Sequence, residues 1–96
     1  MSKLLGVWKS DPEDVSGYNA FGVFQMEFKS NGELIYVLYE KAKTMKFLLT
    51  YEIDGNFIIS DQPSAPAKIR TEYNFLPDGK LELTIDGVKA KLIKQI

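Results

Sequence analysis

Tyr73-Asn74-Phe75-Leu76-Pro77-Asp78-Gly79-Lys80-Leu81-Glu82-Leu83 is the stretch whose reading decides the fold. Apolar and polar residues alternate on both sides of Pro77-Asp78-Gly79. Pro suits the first position of a type I turn, and Gly suits the left-handed residue that closes a three-residue hairpin loop. Leu76 and Lys80 then face each other. The register sets Phe75 opposite Leu81, Tyr73 opposite Leu83 and Thr71 opposite Ile85, all on one face. Lys80, Glu82 and Thr84 fall on the other.

Three further Asx-Gly pairs punctuate the chain: Asn31-Gly32, Asp54-Gly55 and Asp86-Gly87. Asx-Gly between alternating runs is a strong hairpin signal. The three-residue loop at Ser30-Asn31-Gly32 pairs Phe28 with Leu34, Met26 with Tyr36 and Phe24 with Leu38. At Ile53-Asp54-Gly55 the same loop pairs Tyr51 with Phe57 and Leu49 with Ile59. Asp86-Gly87 suits a two-residue turn, which sets Val88 opposite Ile85 and Ala90 opposite Leu83. A one-residue slip would turn every side chain over.

Eight strands follow: Leu4–Lys9, Ala20–Lys29, Glu33–Tyr39, Thr44–Asp54, Asn56–Ser60, Lys68–Leu76, Lys80–Asp86 and Val88–Gln95. No segment sustains helical periodicity. Ser10, Pro12 and Glu13 could open a single helical turn. Asp14 to Asn19 reads as an irregular crossing loop, as does Asp61-Gln62-Pro63-Ser64-Ala65-Pro66. Consecutive strands with no helices to cover them must close on themselves or pack as two sheets. Eight is the number at which a barrel interior just fills or holds one small ligand. The expected fold is all-β, an antiparallel up-and-down meander closed into a small barrel, with residues 1–96 as one domain.

Composition narrows the function. Hydrophobic residues are 45%, charged residues 26% and net charge −1, with no basic stripe for nucleic acid. There is no Cys and no His, which removes disulfides, thiolate metal sites and the commonest acid–base residue. No cofactor and no metal are expected. No apolar run is long enough to span a membrane. If Met1 is the native start, the protein is expected in the cytoplasm.

Leu5-Gly6-Val7-Trp8 at the first strand resembles the Gly-x-Trp opening of the lipocalin and fatty-acid-binding (calycin) families. The Phe28-x-x-Asn31-Gly32 turn, Tyr51-x-Ile53-x-Gly55 and the Leu81-x-Leu83 hairpin are similar to small bacterial lipocalin-like domains. The resemblance implies a lipocalin-like barrel that holds a ligand inside. It also implies an Arg stacked on the Trp. The one Arg of this chain is Arg70 in the sixth strand, so a Lys such as Lys91 or Lys94 would stand in. No inward position carries the Arg of a carboxylate clamp.

The first expectation is therefore a non-enzymatic protein that binds a small apolar or aromatic molecule through Phe24, Tyr36, Phe47, Tyr51, Tyr73 and Phe75. Large aromatics equally fill a narrow barrel, so a small or closed cavity is expected. The alternative is a filled barrel serving as a protein–protein interaction module. Its outer apolar face would comprise Ile35, Val37, Tyr39, Leu48 and Ile58 and form a homodimer contact. An enzyme is not expected, since no inward position is Asp or Glu. Asp11, Glu13 and Asp14 read as a solvated turn and helix cap. Trp8 reads as a core plug at one barrel end.

Overall fold

The computed structural model describes residues 3–64 and 66–95; Ala65, within the expected proline loop, lies outside them. The elements run β1 (Gly6–Ser10), α1 (Val15–Phe21), β2 (Val23–Phe28), β3 (Glu33–Tyr39), β4 (Thr44–Asp54), β5 (Phe57–Asp61), β6 (Ile69–Phe75), β7 (Leu81–Ile85) and β8 (Val88–Gln95). The strands follow one another in chain order around a closed barrel. Every neighbouring pair is antiparallel, including the closure of β1 on β8.

Three of the four Asx-Gly turns take the expected geometry. Phe28 pairs with Leu34 across Ser30–Gly32, and Phe75 pairs with Leu81 across Pro77–Gly79. In the latter loop Leu76 N–H donates to Lys80 O and Gly79 N–H to Leu76 O, each at 2.9 Å. The Asn31 and Asp78 side chains accept from the N–H of Glu33 and Lys80 and brace the two loops. Asp86 (φ 51°) and Gly87 (φ 79°) both take positive φ, as a two-residue type I′ turn requires. Ile85 accordingly pairs with Val88.

The fourth turn corrects the sequence reading. Asp54 pairs with Phe57 and Ile53 with Ile58, so the loop is the two residues Gly55-Asn56. Gly55, at φ 61°, supplies the positive φ that the first position of a type II′ turn needs. The register shifts by three residues, an odd number, which turns β5 over. Ile58 is not on the outer face: it is 1% exposed and belongs to the core. Phe57 and Ile59, expected inside, pair with Asp54 and Glu52 on the outside. The Arg70 guanidinium covers the Phe57 ring at 4.4 Å from its centroid. Ser60 pairs with Tyr51 and takes the inward place assigned to Ile59.

A short helix stands where an irregular loop and the first residues of the second strand, Ala20 and Phe21, are expected. β1 pairs with β8 only as far as Ser10 opposite Leu92, which leaves the first half of β8 without a strand on that side. The β1–β2 connection closes that edge. Asp11 N–H donates to Lys91 O (2.9 Å), and Lys91 N–H donates to the Asp14 carboxylate (2.8 Å). The other Asp14 oxygen accepts from Gly17 N–H and caps α1. Gly17 is buried at this contact; a Cβ there would meet the Asp14 carboxylate at 2.2 Å and the Ala90 backbone at 3.4 Å. Ser10 does not cap a helical turn, because its hydroxyl accepts from Phe24 N–H at 3.2 Å.

The core is the barrel interior. Leu4, Phe28, Leu34, Ile58, Leu81, Leu83, Ala90 and Leu92 are each at most 1% exposed, with Trp8 and Phe24 close behind. Each large apolar side chain so buried contributes about 1.5–3 kcal/mol relative to exposure.

Candidate functional site

The barrel has two unlike ends. The Ser30–Gly32, Gly55-Asn56 and Pro77–Gly79 turns bound one of them, and that end is filled. Trp8 points inward from β1, and its indole N–H donates to Leu4 O at 2.9 Å. Phe75 lies 6.1 Å from Trp8, Tyr73 meets Phe75 edge-on at 5.8 Å, and a second ring pair, Tyr51 and Phe28, meets edge-on at 5.1 Å. Lys94, paired with Trp8 in the β1–β8 register, holds its Nζ 5.1 Å from the indole centroid and donates to Leu5 O.

Three of the six residues expected to bind a ligand lie at this filled end. The Tyr51 hydroxyl donates to Lys29 O (2.8 Å) and the Tyr73 hydroxyl to Gly55 O (3.2 Å). Both are tied to the backbone around the end turns. Phe75 packs between Tyr73 and Trp8. Burial pushes the Tyr51 phenol above its ordinary value.

The opposite end is hollow. A cavity of about 330 Å³ opens there to solvent, lined by Phe24, Met26, Tyr36, Phe47, Leu49, Ser60, Gln62, Ile69, Thr71, Leu83 and Ile85. The other three expected residues meet in its wall. Phe24 and Tyr36 are 5.8 Å apart, and Tyr36 and Phe47 are 6.0 Å apart, which makes a row of rings across β2, β3 and β4. Phe21, the last residue of α1, abuts Phe24 edge-on at 6.5 Å. Across the cup, β5 and β6 present Ser60 and Thr71, with Gln62 beyond the end of β5. The side-chain polar groups of Tyr36, Ser60, Thr71 and Gln62 make no hydrogen bond to another described residue. Burial raises the Tyr36 phenol, which keeps it a neutral donor at ordinary pH. Among the described residues, no charged side chain lines the cup.

Thr71 was readable from the Pro77–Gly79 register. Ser60 was not, because the misread turn placed it outside. Gln62 follows the last strand residue and carries no periodic signal at all.

A larger groove of about 370 Å³ lies outside the barrel, where α1 rides over β1, β2 and β8. Three of its polar side chains already serve the fold: Asp14 caps α1 and holds β8, Ser10 holds Phe24, and Asp11 binds Lys80 at 2.7 Å. Asp11 is not solvated as expected but 5% exposed. The Lys80 ammonium, followed by the Glu13 N–H, holds its carboxyl below the ordinary carboxylate value, and Asp11 in turn raises Lys80. The groove's carboxylates and its serine are committed to the fold, whereas the polar side chains of the cup are not, so the cup is the better site despite its smaller volume.

The outer apolar face is smaller than expected. Ile35 and Leu48 are cross-strand partners, and Leu48 is 66% exposed. Val37 is largely covered at 9% exposure, Tyr39 lies beneath Lys9 with Nζ 5.4 Å from the ring, and Ile58 is inside. No helix among the described residues is long and apolar enough to cross a membrane, and no group of them could hold a metal ion.

Fold and site together define a closed eight-stranded meander barrel with one filled end and one open, uncharged cup. Scans against protein-family models, curated proteins and solved structures find no match to this chain.

Proposed function

We propose that the protein binds a small apolar or aromatic molecule in the open half of its barrel, without catalysing a reaction on it. One observation carries the reading. The cup combines an aromatic wall with hydroxyl and amide groups that the fold does not use. Small-molecule sites have this make-up, mostly apolar with a few polar groups that fix orientation, and volumes from about 300 Å³ upward. The Gly6-x-Trp8 opening and the meander closure support a lipocalin-like, calycin-type assignment, in which an internal ligand is the expected use. The Lys94 ammonium against Trp8 is compatible with that assignment, standing where the resemblance calls for an Arg.

Titration with Nile red, a neutral solvatochromic dye, tests the reading. One dye per chain is expected to bind with a blue-shifted emission. Ile69→Asp places a carboxylate in the cup wall at a residue already 58% exposed, so it should weaken uptake while leaving the melting temperature nearly unchanged. Tyr51→Phe, at the filled end, should leave uptake intact. Absence of saturable uptake by the wild-type protein would remove the reading.

Self-association through Ile35, Tyr39 and Leu48 draws less support. Three partly covered side chains fall well short of the roughly 800 Å² per partner typical of a stable interface.

A further inference from the structure

We infer that the ligand of the cup is an uncharged molecule, with an apolar ring system and one hydroxyl-type group, rather than a carboxylate or an amine. The inference rests on the binding reading above and adds the chemical class. Its basis is the distribution of polar groups around the wall. β2, β3 and β4 contribute rings and apolar chains with one phenol, Tyr36, whereas the neutral hydroxyls of Ser60 and Thr71 sit together on the β5–β6 side. Ile58 pairs with Thr71 and Ser60 with Ile69, so Ser60 and Thr71 are diagonal neighbours on adjacent strands. A hydroxyl both donates and accepts, and the Gln62 amide offers both functions as well. Such a set matches a ligand group that also both donates and accepts.

Charge has no counterpart in the cup. An anion entering it would shed water without gaining a cation, and an ammonium would find no carboxylate. The lysines next in sequence to lining residues lie elsewhere. Lys46 pairs with Val37 and lines a separate depression outside the mouth, beside Phe47 and Gln62. Lys68 lines another groove with Glu52, Ile59 and Asp61. The cavity volume of about 330 Å³ is at the lower end for ligand pockets, which suits a compact fused-ring body.

Calorimetric titration at pH 7 with naphthalene, 1-naphthol and 1-naphthoate tests this directly. The three share a ring system and differ in the head group. 1-Naphthol is expected to bind about fivefold tighter than naphthalene, the size of one net hydrogen bond. 1-Naphthoate is expected to bind at least about tenfold weaker than 1-naphthol, because its charge is desolvated without a partner. In a Ser60→Ala/Thr71→Val variant the naphthol advantage should fall while naphthalene affinity persists, which also shows that the cup is intact. Naphthoate binding as tightly as naphthol, or naphthol no tighter than naphthalene, would overturn the inference and leave the binding reading standing. Failure of all three compounds and of Nile red would remove both.

Discussion

At the end bounded by the Ser30–Gly32, Gly55-Asn56 and Pro77–Gly79 turns, the inward side chains fill the barrel; at the end carrying α1 and the Asp86-Gly87 turn, they leave a cup. Both halves are built from the same alternating strands. The difference comes from what enters from the chain ends and from a few small side chains. At the filled end Leu4 is fully buried, Trp8 inserts and bonds to it, and Lys94 lies against the indole. At the open end nothing comparable enters. Ser60 and Thr71 occupy inward positions where larger side chains would close the space. The tyrosines divide in the same way. Tyr51 and Tyr73 are bonded to backbone carbonyls, while the Tyr36 hydroxyl has no partner among the described residues. The pattern of apolar residues specifies a barrel; the sizes of a few inward residues decide which half can hold something else.

The comparison is open to attack first through Trp8. Trp8→Ala should cost about 3–5 kcal/mol in urea unfolding, a large part of the stability of a small domain. Phe47→Ala, at a half-buried ring on the cup, should cost less than about 2 kcal/mol and yet weaken Nile red uptake. Equal costs at the two positions would erase the distinction between the ends.

The corrected turn provides the next largest effect. Ile58→Ala should cost about 2–4 kcal/mol, whereas Ile59→Ala should cost about 1 kcal/mol or less. The reverse order would restore the three-residue loop. This pair also shows what was legible in the sequence and what was not. The Pro77–Gly79 and Ser30–Gly32 registers could be read because their flanking strands alternate, so only one parity buries the apolar set. Phe57-Ile58-Ile59 is apolar on both faces. Parity there carries no information, and the turn alone sets the register. The seven-residue α1 was hidden for a different reason. It contains a glycine and little periodicity, and it forms because Asp14 caps it and Gly17 lets it approach Ala90. Phe24, Tyr36 and Phe47 were recognisable as inward aromatics. That they line a hollow, while Tyr51, Tyr73 and Phe75 pack solidly, depends on volumes that no alternation encodes.

Acid stability offers a smaller effect, located outside both ends. Asp11 is depressed chiefly by its hydrogen bond to Lys80. Its ionised form therefore stabilises the fold above the ordinary value of 3.8, and that contribution is lost as pH falls through the depressed folded value. Lys80 is raised above 10.5, so its share is present below that pH and is lost as pH rises through the folded value. Asp11→Asn should lower the melting temperature at pH 7 and flatten its decline in acid. An unchanged acid limb in the variant would show that other groups dominate it. Smallest of all, Leu48→Lys on the outer face should change stability by less than about 0.5 kcal/mol and leave Nile red uptake unaltered.

Methyl-resolved NMR during a 1-naphthol titration tests the division of the barrel most directly. Shifts are expected at Met26, Leu49, Ile69, Leu83 and Ile85 around the cup, with Leu4, Leu34, Leu81 and Leu92 at the filled end unmoved. Shifts centred on the filled end, or on Ile35 and Leu48 outside, would contradict it.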